Sequence, residues 1–172
     1  MIGFFNVNNV VNNYYSAINN KVRFYLNLIT NLTVMETRDL DLKRVRPDYM
    51  TTTINDGMTA DERFQNLVLR PIIKLQRPLF IEVFRNYVAK HKNVFYDLSL
   101  EKRIDYIENA IHKDMKFRNS LKGMMIGVFT VEEYQIYIQN SSALNKRMMN
   151  LVKECLIDNV QLIEQNKTLA AV

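Results

Sequence analysis

The chain has 172 residues, 48% of them hydrophobic, and a formal net charge of +5 at neutral pH. A chain of this length holds one ordinary domain with its own core, and its hydrophobic content excludes an intrinsically disordered protein. No stretch approaches the ~20 uninterrupted apolar residues of a membrane-spanning helix. Because Cys155 is the single cysteine, no internal disulfide can form, and the sequence predicts a cytoplasmic protein.

Residues 1–34 differ in composition from the rest of the chain, since they are rich in asparagine and contain no carboxylate. Asparagine is a weak helix former, and Asn27 and Asn31 interrupt the apolar run that a secretory signal needs. Two interpretations stay open. The segment is either an amphipathic helix that docks on the protein or on a membrane surface, or a non-native or disordered extension upstream of a start at Met35. Its apolar residues recur at helical spacing: Val7, Val11, Tyr14, Ile18, Val22, Tyr25, Ile29 and Leu32.

Residues 35–58 have the composition of a polar linker, with mixed charge, Pro47 and the turn-forming sequence at residues 55–57. The bundle domain is predicted over residues 59–165, and residues 166–172 are predicted to fray. Four basic residues of the linker alternate with acids, and we expect them to be solvated: Arg38, Lys43, Arg44 and Arg46.

Helix signals follow one another closely from Thr59 onward. Pro71 and Pro78 each remove a backbone donor, so a kink or a restart of the helix is predicted at both. No segment shows the alternation of a strand, and the sequence therefore predicts an all-α fold, a single compact bundle of about five to six helices. The predicted caps are Thr59 with Glu62, Ser99, Asp114, Thr130 with Glu133, and Ser142.

Two apolar stripes near the C-terminus predict which helix faces are buried and which face contacts a partner. Val131, Tyr134 and Ile138 are predicted to face the core from the fifth helix. On the last helix, a second apolar edge is predicted beside the core stripe, and we expect a protein partner or a second copy to bind there. That edge consists of Leu156, Val160 and Ile163.

Glu108 and His112 lie one turn apart on a predicted helix and are the candidate metal ligands of the chain. One helix cannot surround an ion, and no second Glu/His pair has this spacing. A solvated face that also carries Glu101 and Asp105 is the alternative. The sequence therefore assigns no metal, no cofactor and no catalytic residue.

Three further polar residues have structural explanations. His91 lies at a predicted helix C-terminus, where its cationic form is favoured by the helix dipole. Cys155 occupies a stripe position and is predicted to be buried. Arg70 precedes Pro71, so it is either a structural anchor at the kink or a receptor for an anionic ligand, and both interpretations stay open.

Three segments resemble a family of short helical proteins from Bacteroidetes-type bacteria: Phe64–Lys74, Gly127–Tyr134 and Leu144–Met149. The likeness covers the chain from about Met35 onward. Some members of that family are labelled glyoxalase, so the resemblance implies a lyase activity. Glyoxalases hold a divalent metal through residues on strands or through a His-rich motif, and this sequence matches neither pattern. No catalytic residue is carried over from the resemblance.

These observations favour a cytoplasmic helical module that binds another protein or itself. The first alternative is a glyoxalase-labelled lyase or a metal-dependent enzyme that uses Glu108 and His112. The second alternative is weak nucleic-acid binding. It is not favoured, because the chain after residue 34 contains 21 basic and 18 acidic residues without one basic face.

Overall fold

The computed structural model of the chain describes residues 7–47 and 57–164. All regular elements in these ranges are helices and none is a strand, which confirms the predicted all-α fold. The eight α-helices found there exceed the predicted five to six. No helix of the described ranges combines the length and the apolar composition that a membrane crossing demands. The predicted tail at residues 166–172 lies outside the described residues.

The chain divides between Asp41 and Leu42 into two units. In the first unit, the described residues belong to helix α1, which runs from Val7 to Val45 and ends in the second unit. Residues of the asparagine-rich segment and of the predicted linker therefore share one helix. The side chains of residues 16–31 are all exposed.

The second unit contains the remaining helices, which follow one another with short connections. A π-helical segment at Gln65–Leu69 joins α2 to α3, and a 3₁₀ segment at Val94–Asp97 precedes α4. In chain order the α-helices are α2 (Ala60–Phe64), α3 (Arg70–Lys90), α4 (Leu100–Lys113), α5 (Met115–Ile126), α6 (Val131–Gln139), α7 (Ser141–Asp158) and α8 (Val160–Glu164).

The π segment has its physical cause in Pro71. In a regular α-helix this proline offers no N–H to the carbonyl one turn earlier, and its ring collides with that carbonyl. The chain adopts a wider turn, in which the N–H of Arg70 bonds the carbonyl of Gln65 five positions earlier. The predicted irregularity at Pro71 is thus a change of helix type. At Pro78 α3 continues, so no restart occurs there.

Three of the predicted caps are confirmed by their hydrogen bonds. Thr59 and Thr130 each form a capping box with the glutamate three residues later. The carboxylate of Asp114 accepts from the N–H groups of the first turn of α5. The predicted last helix is interrupted at Asn159, which separates α7 from α8 and adds one helix to the count.

The core of the second unit lies between α3, α4, α5 and α7. Phe84 is its aromatic centre and is fully buried. Its ring meets Phe95 edge-to-face at a centroid distance of 5.4 Å and Phe117 at 6.2 Å. Each aromatic pair of this kind contributes about 0.5–1.5 kcal/mol of stability beyond the contribution from burying the two rings.

Two of the predictions about apolar faces are wrong, and the first concerns the residues of α6 that were expected to face the core. On α6, Val131, Tyr134 and Ile138 are exposed, whereas Glu133 and Tyr137 are buried. The Tyr137 hydroxyl donates to Asn145 Oδ1 at 2.8 Å, which fixes this side of α6 against α7.

The second wrong prediction is the contact edge at the C-terminus, whose residues were expected to be exposed and are buried. Its three side chains are buried in the core and do not form an exposed edge: Leu156, Val160 and Ile163.

Candidate functional site

Helix α1 exposes an apolar surface, which we call the α1 apolar face. Its exposed fractions run from 40% at Ile18 to 60% at Ile29. With 3.6 residues per turn, Asn20 and Asn27 lie on the opposite side of the helix. The face consists of Ile18, Val22, Tyr25, Leu26, Leu28 and Ile29.

A buried ion pair joins the residue after α1 to α6. Arg46 donates from Nη1 to Glu133 Oε1 and from Nη2 to Glu133 Oε2, the second bond at 2.8 Å. Nη2 also donates to the carbonyl of Val128. The two side chains are 7% and 11% exposed, so Arg46 is not the solvated linker residue that the sequence predicts.

Glu133 serves the ion pair and the helix cap at the same time. Its Oε2 accepts from the backbone N–H of Thr130 at 2.7 Å, as a capping box requires. Burial raises the pKa of Glu133, but the hydrogen bonds from Arg46 and Thr130 outweigh it and hold the pKa below its usual 4.5. The carboxylate is therefore charged at neutral pH.

A groove of about 440 Å³ runs between α3 and α7, and we call it the α3–α7 groove. Its α3 wall carries three cations at helical spacing, and its α7 wall carries Glu154 and Asp158 together with Cys155. The three cations are Arg70, Lys74 and Arg77.

Beside the π segment the groove opens into a second space of about 430 Å³, the arginine hollow. Arg70, Leu151 and Glu154 line both spaces. The walls of the hollow also carry the charged residues Asp61, Lys146 and Arg147, and the π-segment residue Gln65.

Arg70 and Arg147 are each held by an amide of the π segment. Arg70 Nε donates to Asn66 Oδ1 at 3.1 Å, and Arg147 Nη1 donates to Gln65 Oε1 at 2.8 Å. The described residues offer no ion pair within 4.0 Å to either guanidinium. Neutral amides thus orient both groups, and Arg147 also interacts electrostatically with the Glu62 carboxylate without forming an ion pair within 4.0 Å.

A hollow of about 580 Å³ lies where α3 ends and α5 begins, between Tyr87, His91 and Tyr106. His91 caps α3, and its Nδ1 lies 2.8 Å from the carbonyl oxygen of Tyr87. Burial and the Asp114 carboxylate raise the pKa of Tyr87, whereas backbone hydrogen bonds at the start of α5 lower the pKa of Asp114. His91 therefore lies at the C-terminal cap of α3, as the sequence predicts.

Among the described residues, the candidate metal ligands Glu108 and His112 are not grouped with other potential ligands. Glu108 Oε1 accepts from Lys153 Nζ at 2.9 Å, and His112 lies exposed on α4. The part of the chain that the structure describes contains no group of three or more His, Cys, Asp or Glu residues arranged to hold a metal ion.

Cys155 is buried, as its stripe position predicts. Burial raises the pKa of its thiol to about 11. Since the thiolate is the nucleophile, a thiol with this pKa is a weak nucleophile at neutral pH.

The sequence missed the partners of Arg46 and Arg147. Glu133 lies 87 positions from Arg46, and Gln65 lies 82 positions from Arg147. Helix periodicity and capping motifs report on neighbours within one or two turns, so neither pair has a signal in the sequence.

Comparison with models of protein families, with curated proteins and with solved structures gave no match.

Proposed function

We propose that the chain is a cytoplasmic helical interaction module that self-associates through the α1 apolar face. The observation that carries this proposal is the exposure of six large apolar side chains on one side of a 39-residue helix. Contiguous apolar surface of this kind marks interaction sites in folded proteins. The single cysteine allows no internal disulfide, which supports the cytoplasmic location.

The spacing of the face suits packing against another helix. Ile18, Val22, Tyr25 and Ile29 follow one another at intervals of four, three and four residues, which is the repeat of a helix–helix seam. Leu26 and Leu28 flank this seam on its two sides. The four seam residues therefore form one row along α1.

The area of the face is sufficient for a pair of copies. Burying an apolar side chain of this size removes roughly 100 Å² from water, so six side chains on each of two copies remove roughly 1,200 Å². Stable interfaces begin at about this total. A second copy of α1 presents the same face and is the occupant that we assign.

The charges of α1 argue against a lipid surface as the occupant. Helices that lie on membranes are rich in Lys and Arg on their polar side. Between residues 16 and 31, the only charged residues of α1 are Lys21 and Arg23, and its polar side consists mainly of asparagine. The electrostatic attraction to anionic lipid is correspondingly small.

Light scattering coupled to size-exclusion chromatography tests the proposal. The full chain is expected to give a mass above the 20.3 kDa of a monomer. The double substitution Val22→Asn with Ile29→Asn introduces polar groups into the seam, so we expect it to weaken association about 100-fold or more. Valine, isoleucine and asparagine have similar helix propensities, so α1 keeps its helix.

The matched control is Asn20→Ser with Asn27→Ser, which changes two residues of the opposite side at the same seven-residue spacing. This control is expected to associate like the unsubstituted chain. A monomeric unsubstituted chain, or equal loss of association in both double variants, contradicts the proposal. So does a monomer that binds uncharged lipid vesicles through Val22 and Ile29.

A further inference from the structure

The arginine hollow has the features of an anion receptor, and we propose that it binds a phosphoryl group. It lies between the π segment and α7 in the second unit, and the proposal is independent of the α1 apolar face. Three cations line it, Arg70, Lys146 and Arg147. The ligand class that fits them is a small phosphate or a phosphate monoester.

Arginine is suited to this role because its guanidinium presents several N–H donors in a planar fork. One N–H of Arg70 and one of Arg147 are taken by Asn66 and Gln65. The fork of each arginine retains further donors, and phosphate oxygens accept two parallel N–H bonds from such a fork. Both arginine residues are partly buried, and a partly buried setting strengthens an interaction with an anion relative to bulk water.

The orientation of the two arginines does not depend on the ligand. Asn66 and Gln65 belong to the same π segment, so the wide turn before Pro71 places both amides beside the hollow. Because an amide is neutral, it positions a guanidinium without cancelling its charge. π segments of this kind are frequent at functional sites.

Two carboxylates also line the hollow and limit the charge of the ligand that fits. Asp61 accepts from Asn140 Nδ2 at 2.9 and 3.1 Å through its two oxygens. Glu154 lies on the edge shared with the α3–α7 groove. The lining residues thus carry three cations and two carboxylates, and Glu62 also interacts electrostatically with Arg147. So small a charge imbalance suits one phosphoryl group better than a polyanion such as nucleic acid.

The test is a titration of the full chain, followed by the Nε–Hε resonances of its arginines in ¹⁵N NMR spectra at constant ionic strength. The probes are inorganic phosphate, phenyl phosphate and acetate. We expect saturable shifts of Arg70 and Arg147 with the phosphate probes and weaker binding of acetate. Stronger binding of phenyl phosphate assigns the site to an ester, and stronger binding of inorganic phosphate assigns it to the free ion.

Arg70→Gln and Arg147→Gln each remove one fork, and we expect each to weaken phosphate binding about tenfold or more. Arg70→Lys keeps the charge and loses the fork, so it is expected to weaken binding without altering the far-ultraviolet circular dichroism spectrum. The control Lys102→Gln removes one cation from the exposed surface of α4 and is expected to leave the affinity unchanged.

Three results overturn the proposal. The first is the absence of saturable shifts with either phosphate probe. The second is equal affinity in the unsubstituted chain and in the arginine variants that remain folded. The third is tighter binding of acetate than of phosphate, which assigns the hollow to carboxylates. Self-association is measured by a separate experiment, so a failure of phosphate binding does not test self-association, and a failure of self-association does not test phosphate binding.

Discussion

Glu133 is the residue on which the contact between α6 and the segment after α1 depends. Its carboxylate accepts two hydrogen bonds from Arg46 and one from the backbone of Thr130. Breaking a buried pair leaves the remaining charge uncompensated, which costs more than the pair contributes in net stability. The neighbouring Glu132 offers a comparison, since its carboxylate is 75% exposed and lies 3.8 Å from Lys43.

We expect Glu133→Gln to lower the free energy of unfolding by about 3 kcal/mol at neutral pH, because it leaves the Arg46 charge buried without a counterion. Glu132→Gln removes an exposed ion pair and is expected to cost less than about 1 kcal/mol. Urea denaturation of both variants measures the difference. Similar small costs for the two substitutions would show that the Arg46 pair is not buried in solution.

The stability that Glu133 contributes is expected to depend on pH. Since the pKa of folded Glu133 lies below its usual 4.5, its stabilising contribution is fully present above that value. It is lost as the pH falls through the lower pKa of the folded state, where Glu133 becomes protonated and the Arg46 pair is broken. The difference in unfolding free energy between the unsubstituted chain and Glu133→Gln is therefore expected to shrink below pH 4.5.

At the scale of elements, two capping boxes of the same type lie in different surroundings. Thr59 starts α2 at an exposed position, whereas Thr130 starts α6 and is 1% exposed. In both, the threonine hydroxyl accepts from the backbone N–H of the glutamate three residues later. Water can replace the hydroxyl at Thr59 more readily than at Thr130.

We expect Thr130→Ala to cost about 2 kcal/mol of stability and Thr59→Ala about 1 kcal/mol or less, because an unpaired N–H costs more in a buried cap. Chemical denaturation of the two single variants gives both values under identical conditions. Equal costs would mean that the burial of the α6 cap does not contribute to its strength.

The elements were predictable from the sequence where their signals are local. The capping residues Thr59, Asp114 and Thr130 contact groups no more than three positions away, so their spacing was sufficient. The buried side of α6 was not predictable, because Glu133 faces inward toward Arg46, 87 positions earlier. The anchoring of Arg70 follows a local spacing, since its partner Asn66 lies one turn earlier.

Two further features of the elements needed the structure. A proline inside a helical pattern predicts an irregularity but does not choose between a kink, a break and a π segment, because all three relieve the same collision. The apolar spacing of residues 7–32 predicted a helix against the low propensity of asparagine, and the sequence left both interpretations open. In the structure, α1 is continuous from Val7 to Val45.

At the scale of the whole molecule, the proposed function rests on an unequal distribution of apolar side chains. In the second unit, the large apolar residues fill a core around Phe84. In the first unit, the six residues of the α1 apolar face are exposed. Apolar surface of this kind marks an interaction site, and in the proposed pair a second copy covers it with an identical seam.

Cross-linking through a cysteine in this seam tests the central claim most directly. Val22 lies near the middle of residues 16–31, so two copies bring this position together in parallel and in antiparallel pairs. The native Cys155 does not interfere at neutral pH, because burial raises the pKa of its thiol to about 11. The matched control is Asn20→Cys, on the opposite side of α1.

With a short bismaleimide at neutral pH, we expect Val22→Cys to give a covalent dimer in high yield and Asn20→Cys to remain monomeric. Denaturing gel electrophoresis measures both yields. No dimer from Val22→Cys, or equal yields from the two variants, would contradict self-association through the α1 apolar face.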